Sequence, residues 1–329
     1  MQEYTLKVDP ENSQLRLDIF LVKNLPDGYS RTFVQQLIES GQVLVNAKKV
    51  KSHHKILIDD EIRVVVSDEY REENVAAEDI PLDIFYEDET LLVINKPSGL
   101  LVHPATGVYS GTLVNALLHH CRNLSDVKAF PSLKQNFESP EKYQENGEAM
   151  EEQKGNSYRI SRPGIVHRLD KETSGLMVVA KNNLAHVNLA RQFEKYRVKK
   201  CYLALVEGRI EFDEGLIDAS LGRHPRYHDK KAVAFDDRAK KAKTFYRVLK
   251  RFKNSTYVAC FPKTGRTHQI RVHLSHLGHP ILGDEKYGKK DSFSRLALHA
   301  KSLGFFHPGT TRFVEFYSVT PQEFLKYKG

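Results

Sequence analysis

Ile165-Val166-His167-Arg168-Leu169-Asp170-Lys171-Glu172-Thr173-Ser174-Gly175-Leu176-Met177-Val178-Val179-Ala180-Lys181 sets two apolar segments on either side of a loop crowded with ionisable and hydroxyl groups. The loop ends in a glycine, which permits a backbone angle closed to other residues. Arg168 and Lys171 bracket Asp170 and stabilise negative charge on it. By spacing alone this is a surface hairpin tied by salt bridges, with a catalytic loop as the alternative.

Downstream, Lys199-Lys200-Cys201-Tyr202-Leu203-Ala204-Leu205-Val206-Glu207 alternates like a strand, and Tyr202 alone reads as a cross-strand residue. The run from Lys263 to Pro280 carries Thr267 as a possible N-cap and a helical stripe of Ile270, Leu274 and Leu277, stopped by Gly278 and Pro280. His268, Arg271 and Ser275 fall together on another face of that helix. Its four histidines follow HxxxxHxxHxxH with no acid among them, which matches no usual zinc spacing. Arginines at a helix start that faces an anion are the simpler account.

Composition narrows the partner. The net charge is +8, and between Arg223 and Lys253 twelve Lys/Arg stand against three Asp, interleaved with Tyr227, Phe235, Phe245, Tyr246 and Phe252. No basic amphipathic helix with an apolar face accompanies them, so a phosphate backbone is favoured over a membrane surface. No apolar run reaches the roughly 18 residues needed to span a bilayer, and no signal peptide is expected. Cys121, Cys201 and Cys260 lack CxxC spacing, which suits a reducing cytoplasm. Neither GxxxxGK[ST] nor GxGxxG occurs, so no nucleotide or dinucleotide cofactor is expected.

Residues 13–68 read as a small α+β module. One helix carries Leu15, Leu17, Ile19, Phe20 and Val22; a second starts at an N-cap Ser30 and ends at Gly41. Three extended pieces follow, Val43–Asn46, Lys55–Ile58 and Ile62–Val66, with Ala47-Lys48-Lys49 as a turn. Arg31, Lys48, Lys49, Lys51 and Lys55 make it a plausible RNA-docking unit. Residues 69–80 read as an acidic linker. Residues 126–158, with seven acids against four lysines and almost no apolar periodicity, read as a mobile insertion in a second domain spanning residues 81–329.

Together the three runs resemble the RluA-type pseudouridine synthases, most closely the RluD-like subgroup. His167 to Lys181 is the most specific signal, Lys263 to Gly288 nearly as strong, and Asn95-Lys96-Pro97-Ser98-Gly99 fits the opening motif. Residues 13–68 resemble the alpha-L RNA-binding motif first described in a small-subunit ribosomal protein. The resemblance implies an α+β fold with a central mixed, mainly antiparallel sheet flanked by helices, and a cleft for a flipped uridine. It implies Asp170 as the central carboxylate, Tyr202 as acceptor of the carbon-5 proton and Arg271 as partner of the aspartate. Arg168 would enter the base stack, and His167, Arg266, His268 and Lys96 would contact substrate. No metal or cofactor is implied.

The expected partner is large-subunit ribosomal RNA, in a pre-ribosomal particle, bound by a monomer. Transfer RNA is the alternative target, and a non-catalytic assembly factor on the same fold the alternative function. Intact Asp170, Tyr202 and Arg271 speak against the latter.

Overall fold

In the computed structural model, residues 2–25, 31–66, 75–104, 108, 110–121, 124–125, 163–227 and 229–329 are described. The expected N-cap Ser30, the first half of the linker and the 126–158 insertion lie outside them. The chain divides into two compact units, an N-terminal one and one containing residues 75–131 and 162–329.

In the N-terminal unit, helices α1 (Leu17–Asn24) and α2 (Arg31–Glu39) cover a sheet of β1 (Gln2–Lys7), β2 (Val43–Val45), β3 (Lys48–Lys49) and β4 (Glu61–Val66), ordered β1-β4-β2-β3. Of the positions expected on the first helix face, Leu17 and Phe20 are buried and Leu15, Ile19 and Val22 only partly so; Leu21 joins them, and with Val34, Leu37 and Ile38 of α2 they pack on Val43, Val45, Ile62, Val64 and Val66. Three expectations need correction. The unit begins at Gln2, not at residue 13, because β1 pairs along the whole of β4 from Gln2–Val66 to Lys7–Glu61. Lys48-Lys49 is a strand, since Asn46 and Ala47 both take positive φ (49° and 62°) and close a two-residue hairpin in the place where Gly is usual. Lys55–Ile58 forms no strand; Ile56 is buried but only Arg16–Lys55 bridges.

The C-terminal unit is built on one sheet ordered β5-β6-β7-β14-β8-β13-β12-β9, with β15 (Phe313–Tyr317) paired to β14 (Leu298–Phe306). The others are β5 (Ile84–Glu87), β6 (Leu91–Lys96), β7 (Ser174–Ala180), β8 (Lys199–Glu207), β9 (Glu214–Asp218), β12 (Lys243–Arg251) and β13 (Ser255–Pro262). All pairings are antiparallel except β7–β14, so the mixed α+β sheet is as expected. Helices α3 (Leu113–His120), α4 (Asn183–Glu194), α5 (Gln269–His276) and α6 (Gln322–Leu325) flank it, and β10 (Leu221–Arg223) with β11 (Lys231–Val233) forms a separate hairpin.

Residues 75–80, expected as linker, belong to this unit. Glu78 N–H donates to the Asn115 carbonyl, Asn115 Nδ2 to the Ala76 carbonyl, and Val75 packs on the core. Every residue of β7 is buried, as suits a central strand covered on both faces. Gly175 is obligatory there. A Cβ on it would stand 2.3 Å from the Ala300 carbonyl oxygen and 2.5 Å from the Ala300 nitrogen, at φ +115°. That close parallel approach sets the loop before β7 against β14.

Candidate active site

The loop from Ile165 to Ser174 is held from beneath by the opening motif. Lys96, 1% exposed, donates all three protons of its ammonium to the carbonyls of Pro97, Leu100 and Lys171 at 2.7, 2.8 and 3.0 Å. Burial lowers its pKa to about 8, against the charges of Glu172 and Asp170, which raise it. Gly99 N–H bonds the Lys171 carbonyl and Ser98 Oγ the Glu172 carbonyl. From above, His299 on β14 joins Ser174 Oγ (2.9 Å) to Ser318 Oγ (2.7 Å). The turn closes on Asp170, whose carbonyl accepts the Thr173 N–H.

The carboxylate of Asp170, 15% exposed, lies between two residues of the α5 region. Arg271 Nη1 is 3.4 Å from Oδ2, and His268 Nε2 is 4.0 Å from Oδ1. Arg271 is only 2% exposed, and its closer partner is Asp284, which receives Nε and Nη2 at 2.8 Å each. Asp284 is itself wholly buried and accepts the N–H groups of Lys286 and Tyr287. Burial works to lower the Arg271 pKa, but the bond to Asp284 and the charges of Asp284, Asp170 and Glu172 carry it well above its usual value. The guanidinium is thus a permanent cation, fixed at three of its faces: Asp284, Asp170 and the Tyr287 ring at 5.3 Å.

Tyr202 reaches the site from β8. Burial first, then the negative charge of Asp170 and the neighbouring Cys201, push its phenol far above the ordinary range, so it is a neutral O–H. A cleft of about 650 Å³ opens beside Arg271, with Ser98, Glu172, Lys286, Phe293 and Arg295 in its walls.

The structure therefore brings together Asp170, Tyr202, Arg271 and His268. Arg168 is exposed on the loop. Arg266 lies across the Lys241 carbonyl and Tyr196 Oη, at 3.3 Å from each. His167 does not join them. Its ring stacks on Phe193 at 4.5 Å, its Nε2 accepts the Val178 N–H at 3.0 Å, and burial holds it neutral with a pKa of about 3. The expected substrate contact is corrected to a brace between loop and β7. Lys96, with its protons engaged by carbonyls, is likewise a support for the loop and not a substrate contact.

The cap of α5 also differs from expectation. His268, not Thr267, is the N-cap, in a left-handed conformation (φ 57°) with no side-chain cap bond. The expected shared face of His268, Arg271 and Ser275 exists, and all three meet Tyr287. Asp284, Tyr287 and His299 were not singled out from the sequence. Asp284 had a signal, since a buried arginine needs more counter-charge than one partly exposed aspartate supplies.

Among the described residues, Glu87, His120 and Cys121 form the one cluster with potential metal-ligand atoms within 4.8 Å. There Glu87 is already paired with His120 and Lys181.

Residues 90–276 match the RNA pseudouridylate synthase family model, and residues 15–62 the S4 domain. An uncharacterized RNA pseudouridine synthase of Bacillus subtilis is 42% identical over 98% of this chain and 96% of its own. The ribosomal large subunit pseudouridine synthase D of Nitrosomonas europaea is 40% identical over 95% of this chain and 84% of its own. The solved structure of human RNA Pseudouridylate Synthase Domain Containing 1 is 27% identical, with a TM-score of 0.54 over 74% of this chain and 86% of that one. With a family match across more than half its length and full-length relatives above 30% identity, the chain belongs to the RNA pseudouridine synthases and carries an S4 domain at its N-terminus.

Proposed function

We propose that this enzyme isomerises uridine to pseudouridine in large-subunit ribosomal RNA, in the cytoplasm, with Asp170 as the reacting carboxylate. The observation that carries this is the carboxylate's setting: one oxygen faces a buried, permanently charged Arg271, the other faces His268, and the neutral Tyr202 senses its charge. Arg271 sets a full positive charge 3.4 Å from one Asp170 oxygen, and its two bonds to Asp284 keep it from closing on that oxygen in a tight pair. The bond from ribose carbon 1′ to N1 breaks and one to carbon 5 forms. Tyr202 takes the carbon-5 proton as its own phenolic proton passes to Asp170, the carboxylate beside it, and Asp170 gives a proton to N1, so protons and charge balance with no redox partner.

The ribosomal target is supported by the name of the Nitrosomonas relative, a large subunit pseudouridine synthase, by the S4 domain and by the basic hairpin. Extracting a base from a structured RNA costs a few kcal/mol, which phosphate contacts and stacking on such a surface offset. The three cysteines are free thiols, as a reducing compartment requires.

Pseudouridine mapping of total RNA from cells with and without the gene tests the target. Loss of signal at sites in large-subunit ribosomal RNA is expected. Loss confined to transfer RNA would replace the ribosomal assignment, and an unchanged map would remove it.

A further inference from the structure

Tyr287 makes a set of contacts that the reaction itself does not require. Its hydroxyl lies 2.7 Å from the backbone N–H of Lys231 on β11 and 2.7 Å from Nδ1 of His268. Its ring carries the Arg271 guanidinium at 5.3 Å. Its backbone is fixed at both ends: the N–H donates to Asp284 Oδ1 at 3.1 Å, and the carbonyl accepts from Ser275 Oγ at 3.1 Å.

A backbone N–H can only donate, so Lys231 occupies a lone pair of the phenol oxygen. That leaves the phenolic proton for His268 Nδ1, 2.7 Å away, with Nδ1 as acceptor in the proposed arrangement. Burial, with the charges of Arg271 and Lys286, outweighs the opposing pull of Asp170 and keeps the imidazole neutral. A neutral imidazole has a single N–H, and with Nδ1 accepting, that proton sits on Nε2. Nε2 is the atom that faces Asp170 Oδ1, across the carboxylate from Arg271. The left-handed backbone at His268, with no capping bond in return, aims the ring there at a conformational cost.

We propose that Tyr287 is a positioning residue that fixes His268 as its Nε2–H tautomer and so orients the Asp170 carboxylate from the side opposite Arg271. This rests on Asp170 being the reacting group. A neutral donor steadies the second oxygen without a second full positive charge to quench it. At 4.0 Å the pair is open, and it closes to a hydrogen bond when a bound nucleotide excludes water. The same phenol is anchored to the hairpin that carries Arg223, Arg226 and Lys230, so the orientation of the carboxylate is tied to the placement of a basic, RNA-facing element.

The test uses the full-length protein labelled with ¹⁵N-histidine, the His268 signal being assigned by its absence in His268→Gln. The Nε2-protonated pattern is expected in the wild type and a mixed-tautomer pattern in Tyr287→Phe. In single turnover on RNA from cells lacking the gene, Tyr287→Phe should lower the rate about tenfold and leave the half-saturating concentration within twofold. Glutamine carries a fixed N–H donor at the Nε2 position, so Tyr287→Phe should cost less than threefold in the His268→Gln background. An Nδ1-protonated wild type, or an equal cost in both backgrounds, overturns the proposal. The tautomer is read without any turnover, so failure here is distinguishable from failure of the Asp170 assignment, which only the activity of Asp170 variants addresses.

Discussion

Asp284→Asn removes one negative charge from a wholly buried pair while preserving shape. In the native protein Asp284 takes two bonds of 2.8 Å from Arg271 and two more from backbone N–H groups, and Arg271 is 2% exposed. The asparagine oxygen can keep the two backbone donors, but its amide nitrogen confronts a guanidinium N–H. Breaking one side of a buried pair costs about 3–5 kcal/mol, and the retained backbone bonds put this case near about 3. For a unit of this size that lowers the thermal midpoint by about 6–12 °C. Arg271 then has Asp170 and Glu172 as its remaining anions, at 3.4 and 3.7 Å, and closes on Asp170. Pseudouridine formation should fall at least about a hundredfold, some 2.7 kcal/mol of barrier, with RNA affinity little changed. Thermal unfolding and single-turnover assays measure the two effects separately. The double variant Arg271→Met/Asp284→Leu should regain most of the stability and none of the activity, because apolar replacements remove the buried charges together. An Asp284→Asn protein that melts like the wild type and turns over within a few-fold of it would refute the view that Asp284 positions Arg271.

Three further outcomes are expected. Gly175→Ala forces a Cβ to within 2.3 Å of a backbone oxygen on β14, so unfolding free energy should drop by at least about 3 kcal/mol in urea titrations. His299 is buried with a pKa lowered to about 4 by burial and by Arg295 and Lys301; its unfolded form binds protons first, so stability is intact above about pH 6.5 and declines as pH falls toward 4. Its share at pH 5 is about 2 kcal/mol, and His299→Gln should flatten the fall in urea midpoint between pH 7 and pH 5. Removing residues 1–68 should weaken RNA binding or relax site choice more than it slows the chemical step; equal affinity and selectivity for both proteins would contradict this.

What the sequence revealed and what it hid divide along physical lines. The Asp170 loop, the α5 face and the wholly buried β7 were legible because they are local: a helical periodicity and a charged loop between apolar runs. Strand β1 was hidden because its partner β4 lies some 60 residues away, and Tyr4-Thr5-Leu6 carries little pattern of its own. His167 was misjudged because proximity in sequence to Asp170 says nothing about which way a ring turns, and a free backbone N–H on Val178 with Phe193 beyond it decided the matter. Lys96 was placed at the substrate by resemblance alone, and the local sequence could not show that three carbonyls converge on it. Asp284 and Tyr287 were written in the run around Gly283 and Gly288, yet only the fold brings them beneath Arg271.

The central claim is that Asp170 is the reacting carboxylate, and Asp170→Asn tests it most directly, with carbodiimide primer extension read on RNA from cells lacking the gene after incubation with the purified protein. The substitution keeps shape and leaves Arg271 anchored on Asp284. The wild type should restore the missing pseudouridines, and the variant should bind the same RNA with unchanged affinity and restore none. Pseudouridine formed by Asp170→Asn at a rate near that of the wild type would contradict the account.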